Sequence, residues 1–460
     1  MLGTIRESLA HSSPAVRELF GRLSYWMPAR VRLGADFSST TALLEKRRQD
    51  PQWAAREQRR RLEYVVAKAR TSPYYSGHSS YSDCASGDIY EALSGFPVLT
   101  REDLSEFRDQ MLTVPRSKVD LVTTSGSSGK PAAFYLDKVR GASEWAYVCD
   151  AWRNAGYKVN DWRAVLRGQN LGASGQRYLL SRSTRELYLS PFDLSPASVE
   201  DYWRLILKRK IRYIHGYPSA LAAVAEAALT TGTRLNRRLI KGIFPVSEPL
   251  TVEQQRTLAE AFPEAMVTPF YGLSERVAFA EFDQKSMNYR FNSLYGFVEI
   301  LNDNGVPVAP GEQGRVVATG LRLTGMPLLR YDTGDMATLE GYGDCGSPIV
   351  SEIRGKRVQE HLYTLTGAPI STSALNVHSA AYASVFAFRF VQTQMGFTEV
   401  LVVLKENASA RDAEVFASEL QKNCGDRIVF KSTVVNTLPN TINGKQKLVD
   451  LRISDATRQL

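Results

Sequence analysis

From residue 120 to about 270, apolar positions alternate between two kinds of run. Short, continuous runs rich in branched and aromatic residues predict strands at Asp120–Thr124, Trp162–Leu166, Ile211–Ile214, Leu239–Val246 and Met266–Phe270. Between them, spacings of three and four predict helices at Val199–Lys208, Ser219–Leu229 and Thr251–Ala261. Beyond Thr124, where the chain runs into a Gly/Ser turn, such alternation implies crossover helices covering a largely parallel sheet, an α/β architecture. After about residue 275 the chain turns β-rich, with Tyr295–Leu301 and Gly314–Thr319 flanking the hairpin signal Asn304-Gly305. From Arg354 onward, strands at Phe386–Val391, Glu399–Leu404 and Ile428–Val435 surround a helix at Ala410–Gln421, predicting a small α+β domain. The division expected is a large N-terminal domain over 1–353 and a small C-terminal domain over 354–460, about 100 residues being a common domain size.

The first third reads as helical. Val16, Leu19, Phe20, Leu23, Trp26 and Met27 recur at helical spacing beside Arg17, Arg22 and Arg30. This pattern predicts a helix docked on the body, with peripheral contact to a membrane surface as the sharper alternative. Helical pattern also covers about 40–70 and is ended by Thr71-Ser72-Pro73.

Composition narrows the class. The chain has 460 residues, 43% hydrophobic and 23% charged, the profile of a globular protein of more than one domain. No apolar run approaches the ~20 residues of a membrane span, and Arg6 and Glu7 interrupt any signal-peptide core. The expected compartment is the cytoplasm. Cys84, Cys149, Cys345 and Cys424 lack metal or redox spacing. The net charge of +9 does not imply nucleic acid, because Arg59, Arg60 and Arg61 lie among Glu57 and Glu63 on one helical stretch. Lys208, Arg209, Lys210 and Arg212 likewise close a helix, and the surplus suits an anionic substrate.

Candidate chemistry lies in five segments. Thr123-Thr124-Ser125-Gly126-Ser127-Ser128-Gly129-Lys130-Pro131 is a turn of small and hydroxyl residues whose backbone N–H groups can wrap a polyphosphate. It is not a Walker loop, because Thr124 and Pro131 stand where that loop needs Gly and Ser/Thr. Val246-Ser247-Glu248-Pro249 and Phe270-Tyr271-Gly272-Leu273-Ser274-Glu275 each end an expected strand, where open α/β sheets bind ligands. Tyr331-Asp332-Thr333-Gly334-Asp335 reads as a turn whose Asp335 can pair with vicinal hydroxyls. Leu438-Pro439-Asn440-Thr441-Ile442-Asn443-Gly444-Lys445 sets one lysine on a Gly-containing loop. Singly, each reads as an ordinary turn; their order is the signal.

In that order the five segments resemble the adenylate-forming superfamily of acyl-CoA synthetases and adenylation domains. The phenylacetate–CoA ligase-like branch, with its capsular-polysaccharide members, is the most similar. Ser72-Pro73-Tyr74-Tyr75, Phe96-Pro97-Val98-Leu99-Thr100 and the helical Arg101-Glu102-Asp103-Leu104 extend the resemblance into the first third. It implies a mobile C-terminal domain and a fixed set of roles. Thr124, Ser125, Gly126, Ser127, Ser128, Gly129 and Lys130 would hold the ATP β- and γ-phosphates. Ser247, Glu248 and Pro249 would lie against adenine, Tyr271 would stack on it in the Tyr271-Gly272 segment, and Ser274 and Glu275 would meet phosphate and Mg²⁺. Asp335 would accept from the ribose hydroxyls. Lys445 would reach the reacting phosphate and carboxylate oxygens. The family's Gly-Arg at the domain junction appears here as Gly355-Lys356-Arg357, so Lys356 or Arg357 takes that place. His215, Tyr217 and Gln169, with Asn170, are candidates for the acid pocket.

The implied reaction is ATP-dependent activation of a carboxylic acid as an acyl-adenylate, then acyl transfer to coenzyme A or to an amine such as a sugar amine. A substrate carboxylate of pKa ~4 needs no side-chain base at neutral pH. Charge neutralisation does the work, each well-placed group being worth roughly 3–4 kcal/mol. Two other readings stand beside it: a nucleotidyltransferase that leaves AMP on its product, and a degenerate, non-catalytic nucleotide-binding protein.

Overall fold

The computed structural model describes residues 29–76, 88–124, 132–167, 171, 176–182, 184–192, 194–230, 237–343, 345–355, 360–375, 380–438 and 448–453. The chain separates into two compact units, Met1–Glu45 with Gly141–Pro269, and Lys46–Arg140 with Phe270–Leu460. Residue 354 falls within the second. The amphipathic pattern over 12–30 lies almost wholly outside the described residues, which begin with the helix Ala29–Leu33.

The helical stretch expected over 40–70 is two helices, Ala35–Gln49 and Pro51–Ala69. Pro51 cannot continue a helix from Asp50, but it suits a first turn, and the Asp50 carboxylate caps that turn by accepting from the Trp53 N–H at 2.8 Å. On the second helix, Arg59 pairs with Glu63, and Arg60 and Arg61 with Glu57. The basic run is therefore a charge-compensated helix face. Among the described residues no helix is long and apolar enough to cross a membrane. The antiparallel hairpin β1 (Val119–Thr124) and β2 (Ala132–Asp137) follows.

The first unit is built on a six-stranded sheet of β3 (Arg163–Leu166), β4 (Tyr178–Ser181), β5 (Glu186–Leu189), β6 (Tyr213–Gly216), β7 (Gly242–Pro245) and β8 (Met266–Val267). Its order is β4-β5-β3-β6-β7-β8, parallel except for the edge strand β4. Helices Pro196–Lys208, Pro218–Thr230 and Val252–Ala261 connect the strands, as the alternation requires. Register puts Ala164, Leu187, Ile214 and Ile243 on one face, all buried. The opposite face carries Arg163, Glu186, Tyr188, Tyr213, His215 and Phe244. There Trp152, from the helix Gly141–Trp152, stacks on Phe244 at 4.2 Å. Gly242 makes room for this aromatic layer, since a Cβ there would meet the Phe244 and Tyr213 rings at 2.9 Å.

The second unit holds a seven-stranded antiparallel sheet of β9 (Phe270–Gly272), β10 (Phe279–Asp283), β11 (Asn288–Phe291), β12 (Gly296–Leu301), β13 (Gln313–Gly320), β14 (Tyr331–Tyr342) and β15 (Pro348–Gly355). The order is β12-β13-β14-β15-β11-β10-β9. Asn304-Gly305 lies in the β12–β13 connection, with Gly305 at φ 77°. Two expectations are corrected here. Phe270 does not extend the strand Met266–Val267 of the parallel sheet; Phe270–Gly272 pairs antiparallel with β10 instead. Thr268-Pro269 separates the two strands, because Pro269 supplies no N–H to a ladder. Tyr331–Asp335 is not a turn but the start of the long strand β14.

Beyond Gly355 come the pair β16 (His361–Tyr363) and β17 (Pro369–Ser371), then β18 (Val385–Gln394), β19 (Phe397–Leu404), the helix Ala410–Cys424, β20 (Val429–Val434) and β21 (Val449–Leu451). The last four strands form a sheet of order β20-β19-β18-β21. Phe416 of the helix packs edge-on against Phe388 and Tyr382, giving this α+β part its own core.

Candidate active site

In the second unit, β9 and β14 bring two of the expected residues together. The Tyr271 hydroxyl donates to Asp335 Oδ2 at 2.8 Å across 64 positions of sequence. Burial, and then the negative charge of Asp335, hold the Tyr271 phenol protonated, raising its pKa well above the ordinary value. Asp335 is aimed by a bulge. Val317 pairs with Asp332 and Arg315 with Met336, so extra residues accumulate in β14 between them. Gly334 takes φ 77°, a left-handed conformation that glycine adopts at little cost. The bulge is tied internally: Gly334 N–H donates to Asp332 Oδ1 at 2.8 Å, and Asp335 N–H to Thr333 Oγ1 at 3.2 Å. The Thr333 hydroxyl in turn donates to the Val316 carbonyl at 2.8 Å, and Arg315 pairs with Asp332 at 3.0 Å. Asp335 lies opposite Gly355 in the β14–β15 ladder, and Gly355 directly precedes Lys356 and Arg357 in sequence.

Glu275 follows β9 and is held from the same strand β14. The Tyr331 hydroxyl donates to Glu275 Oε1 at 3.1 Å. Tyr331 is buried, and burial followed by the Glu275 charge keeps its phenol protonated. Arg276, next in the chain, has φ 57°, a strained value for a residue with a side chain and one that often marks functional turns. Gly272 and Ser274 are exposed beside these groups. Among the described residues no three carboxylate, histidine or cysteine side chains gather to cage a metal. A single anchored carboxylate fits a magnesium ion completed by substrate phosphates.

The first unit carries the other described candidates. Ser247 follows β7 at φ 67°, again left-handed without being glycine. Glu248 Oε2 accepts from both the Ser219 N–H at 3.2 Å and the Ser219 hydroxyl at 2.9 Å. This clamp fixes the segment Ser247-Glu248-Pro249 to the start of the helix Pro218–Thr230, which directly follows Tyr217. His215 and Tyr217 are both buried. Burial, then Arg167 and Arg163, push the His215 pKa well below its ordinary value, so the ring is neutral.

Thr124 ends β1. Ser125, Gly126, Ser127, Ser128, Gly129, Lys130, Gln169, Asn170, Lys356, Arg357 and Lys445 lie outside the described residues. Sequence reasoning passed over the tether by Tyr331, although this tyrosine belongs to the Asp335 segment. It also passed over the buried Arg163–Glu186 ion pair. Charged residues inside otherwise apolar strands were the available signal for the latter.

Residues 362–451 match a family described as the CapK C-terminal domain. Protein CapK of Staphylococcus aureus is 23% identical over 396 residues, 82% of this chain and 84% of that protein. Phenylacetate-coenzyme A ligase of Aromatoleum evansii is 28% identical over 258 residues, 54% of this chain and 57% of that one. In fold, the chain resembles a 2-hydroxyisobutyryl-CoA ligase solved in its thioesterification state, with a TM-score of 0.52, 19% identity and coverage of 93% and 91%. The ordered motifs and these relatives together make the chain similar to the adenylate-forming ligases of the phenylacetate–CoA ligase-like branch, and its residues 362–451 match the CapK C-terminal domain family.

Proposed function

We propose that the protein activates a carboxylic acid with ATP, releasing pyrophosphate, and passes the acyl group from the adenylate to an acceptor. The observation that carries this reading is the Tyr271–Asp335 pair. The Tyr271 hydroxyl meets Asp335 Oδ2 at 2.8 Å, which sets an aromatic ring beside a hydrogen-bonding carboxylate, the two features a base and its ribose would use. In this reading Asp335 accepts from the ribose hydroxyls, Tyr271 stacks on adenine, and Ser247, Glu248 and Pro249 line the base. Thr124 through Lys130 hold the outer phosphates, with Ser274 alongside. Glu275, steadied by Tyr331, would hold Mg²⁺, which supplies charge neutralisation at the phosphates.

The acid attacks the α-phosphorus as its carboxylate; the P–O bond to pyrophosphate breaks and no proton need move. Lys445 stabilises the charge on the reacting oxygens, and Lys356 or Arg357 completes the ring of cations. Residues 354–460 act as a mobile domain that brings Lys445 to the reaction. Support comes from the way the chain is fastened after the junction. Glu360 accepts from the Val449 N–H at 2.9 Å, and the Gln392 amide gives and takes 2.7 Å bonds with the Tyr363 backbone. Residues from 360 are thereby bound to the C-terminal sheet. Tyr217, His215 and Gln169 belong to the acid pocket in this reading, and the acceptor is the thiol of coenzyme A or an amine.

Carboxylate-dependent exchange of labelled pyrophosphate into ATP, over a panel of acids, tests the proposal, with release of free AMP separating it from nucleotidyl transfer. Lys445→Ala is expected to lose exchange by at least about 10²-fold while melting at the wild-type temperature. Full activity in that variant removes Lys445 from the reaction.

A further inference from the structure

Buried polar groups are almost always hydrogen-bonded, so an exception calls for a reason. His215 is 6% exposed, and neither Nδ1 nor Nε2 has a partner among the described residues. Its neighbours on the same sheet face are bonded to one another at most of their polar atoms. Arg163 pairs with Glu186 and donates to the Tyr157 hydroxyl at 2.5 Å, and Tyr188 donates to Glu186. These groups of the layer bond one another, with Arg163 Nε the one atom of the four side chains left unmet among the described residues, whereas His215 has neither nitrogen bonded.

At that end stands His215, the third residue of the four in β6, flanked in register by Val165 and Phe244 and met edge-on by Trp152 at 4.9 Å. The backbone beyond it is closely constrained. A Cβ on Gly216 would meet the Leu166 carbonyl oxygen at 2.6 Å, and the Tyr217 N–H donates to that same carbonyl at 3.1 Å. The imidazole is therefore held at the carboxyl edge of a parallel sheet, the edge at which such sheets bind ligands.

A neutral imidazole offers one N–H donor and one lone pair, with nothing among the described residues to take either. A hydroxyl group is its complement, since it also gives one hydrogen bond and accepts others. A carboxylate would satisfy only the N–H, and an ammonium only the lone pair. We propose that His215 is a specificity-determining residue whose imidazole hydrogen-bonds a hydroxyl carried by the carboxylic acid substrate. The assignment rests on the carboxylate-activating reading above and adds the chemical class of its acid.

The test is pyrophosphate exchange with acids paired to differ by one hydroxyl: 4-hydroxybenzoate and benzoate, 4-hydroxyphenylacetate and phenylacetate, 3-hydroxybutyrate and butyrate. Wild-type protein is expected to prefer the hydroxylated member of at least one pair by about tenfold or more in kcat/KM, because a site built for a hydroxyl is left with unpaired groups by its analogue. His215→Phe, checked by thermal melting, should collapse that preference to within about twofold, and His215→Gln, which keeps a donor and an acceptor, should restore part of it. Exchange that shows no hydroxyl preference, or a preference that His215→Phe leaves intact, overturns the assignment and leaves the ligase reading standing. So does a His215→Phe effect equal on both members of each pair, the result expected if the nitrogens hold only a water. Exchange with no acid at all, in wild-type protein, overturns both.

Discussion

In the six-stranded, mostly parallel sheet, the expected nucleotide-contacting residues stand just past a strand end; in the seven-stranded antiparallel sheet, they belong to the strands or leave them immediately. Ser247-Glu248-Pro249 follows β7, whereas Tyr271 lies within β9 and Asp335 within β14. Crossover connections bring the carboxyl ends of β3, β5, β6, β7 and β8 to one edge, so the segments after them are free to carry chemistry. An antiparallel sheet offers no such edge, because successive strands end on opposite sides. There a functional group must be aimed from inside a ladder, and β14 does so by bulging at Thr333–Asp335 with Gly334 left-handed. The two sheets share one device, a non-glycine residue at positive φ beside the candidates: Ser247 in one and Arg276 in the other.

Removing the aimed group should have the largest effect on this contrast. Asp335→Ala deletes the acceptor proposed for the ribose and strands the Tyr271 hydroxyl, so kcat/KM for ATP in exchange should fall roughly 10²-fold, as expected for lost hydrogen bonds to a charged group. Activity within twofold of wild type would mean that the bulge aims nothing. Gly216→Ala probes the parallel sheet's edge, where the added methyl must displace the Leu166 carbonyl. Overpacking there should cost about 1–3 kcal/mol in denaturant unfolding of the intact chain. An unchanged midpoint would show that the strand end is not tightly held. The smallest effect belongs to Ser219→Ala, which removes the hydroxyl half of the clamp on Glu248 but leaves the N–H bond. A rise of several-fold in KM for ATP at little changed kcat is expected from roughly 1 kcal/mol of lost positioning. A fall in kcat with KM unmoved would assign Glu248 to the chemical step instead.

The parallel sheet was legible because its signal is local and repeated. Apolar runs of strand length alternate with helical spacing, and observed elements such as Pro196–Lys208, Pro218–Thr230 and Val252–Ala261 differ from the expected ones by a few residues at their ends. The turn read at Tyr331–Asp335 failed for a physical reason. Asp, Thr and Gly are turn-formers by propensity, and propensity cannot report that flanking ladders will hold them as a bulged strand. The misplaced end of the strand at Met266 has a similar origin. Phe270 is as apolar as Val267, and only pairing with β10 shows which sheet it joins.

By itself the amino-acid order determined the α/β class, the order of the segments expected to meet a nucleotide and the superfamily they resemble, because these are properties of spacing and residue type. Tertiary structure alone decided that the Tyr271 hydroxyl meets Asp335, that Tyr331 holds Glu275, and that His215 is buried with both nitrogens unmet among the described residues. Those facts depend on strand partners and burial, which join residues tens of positions apart and which no local pattern encodes.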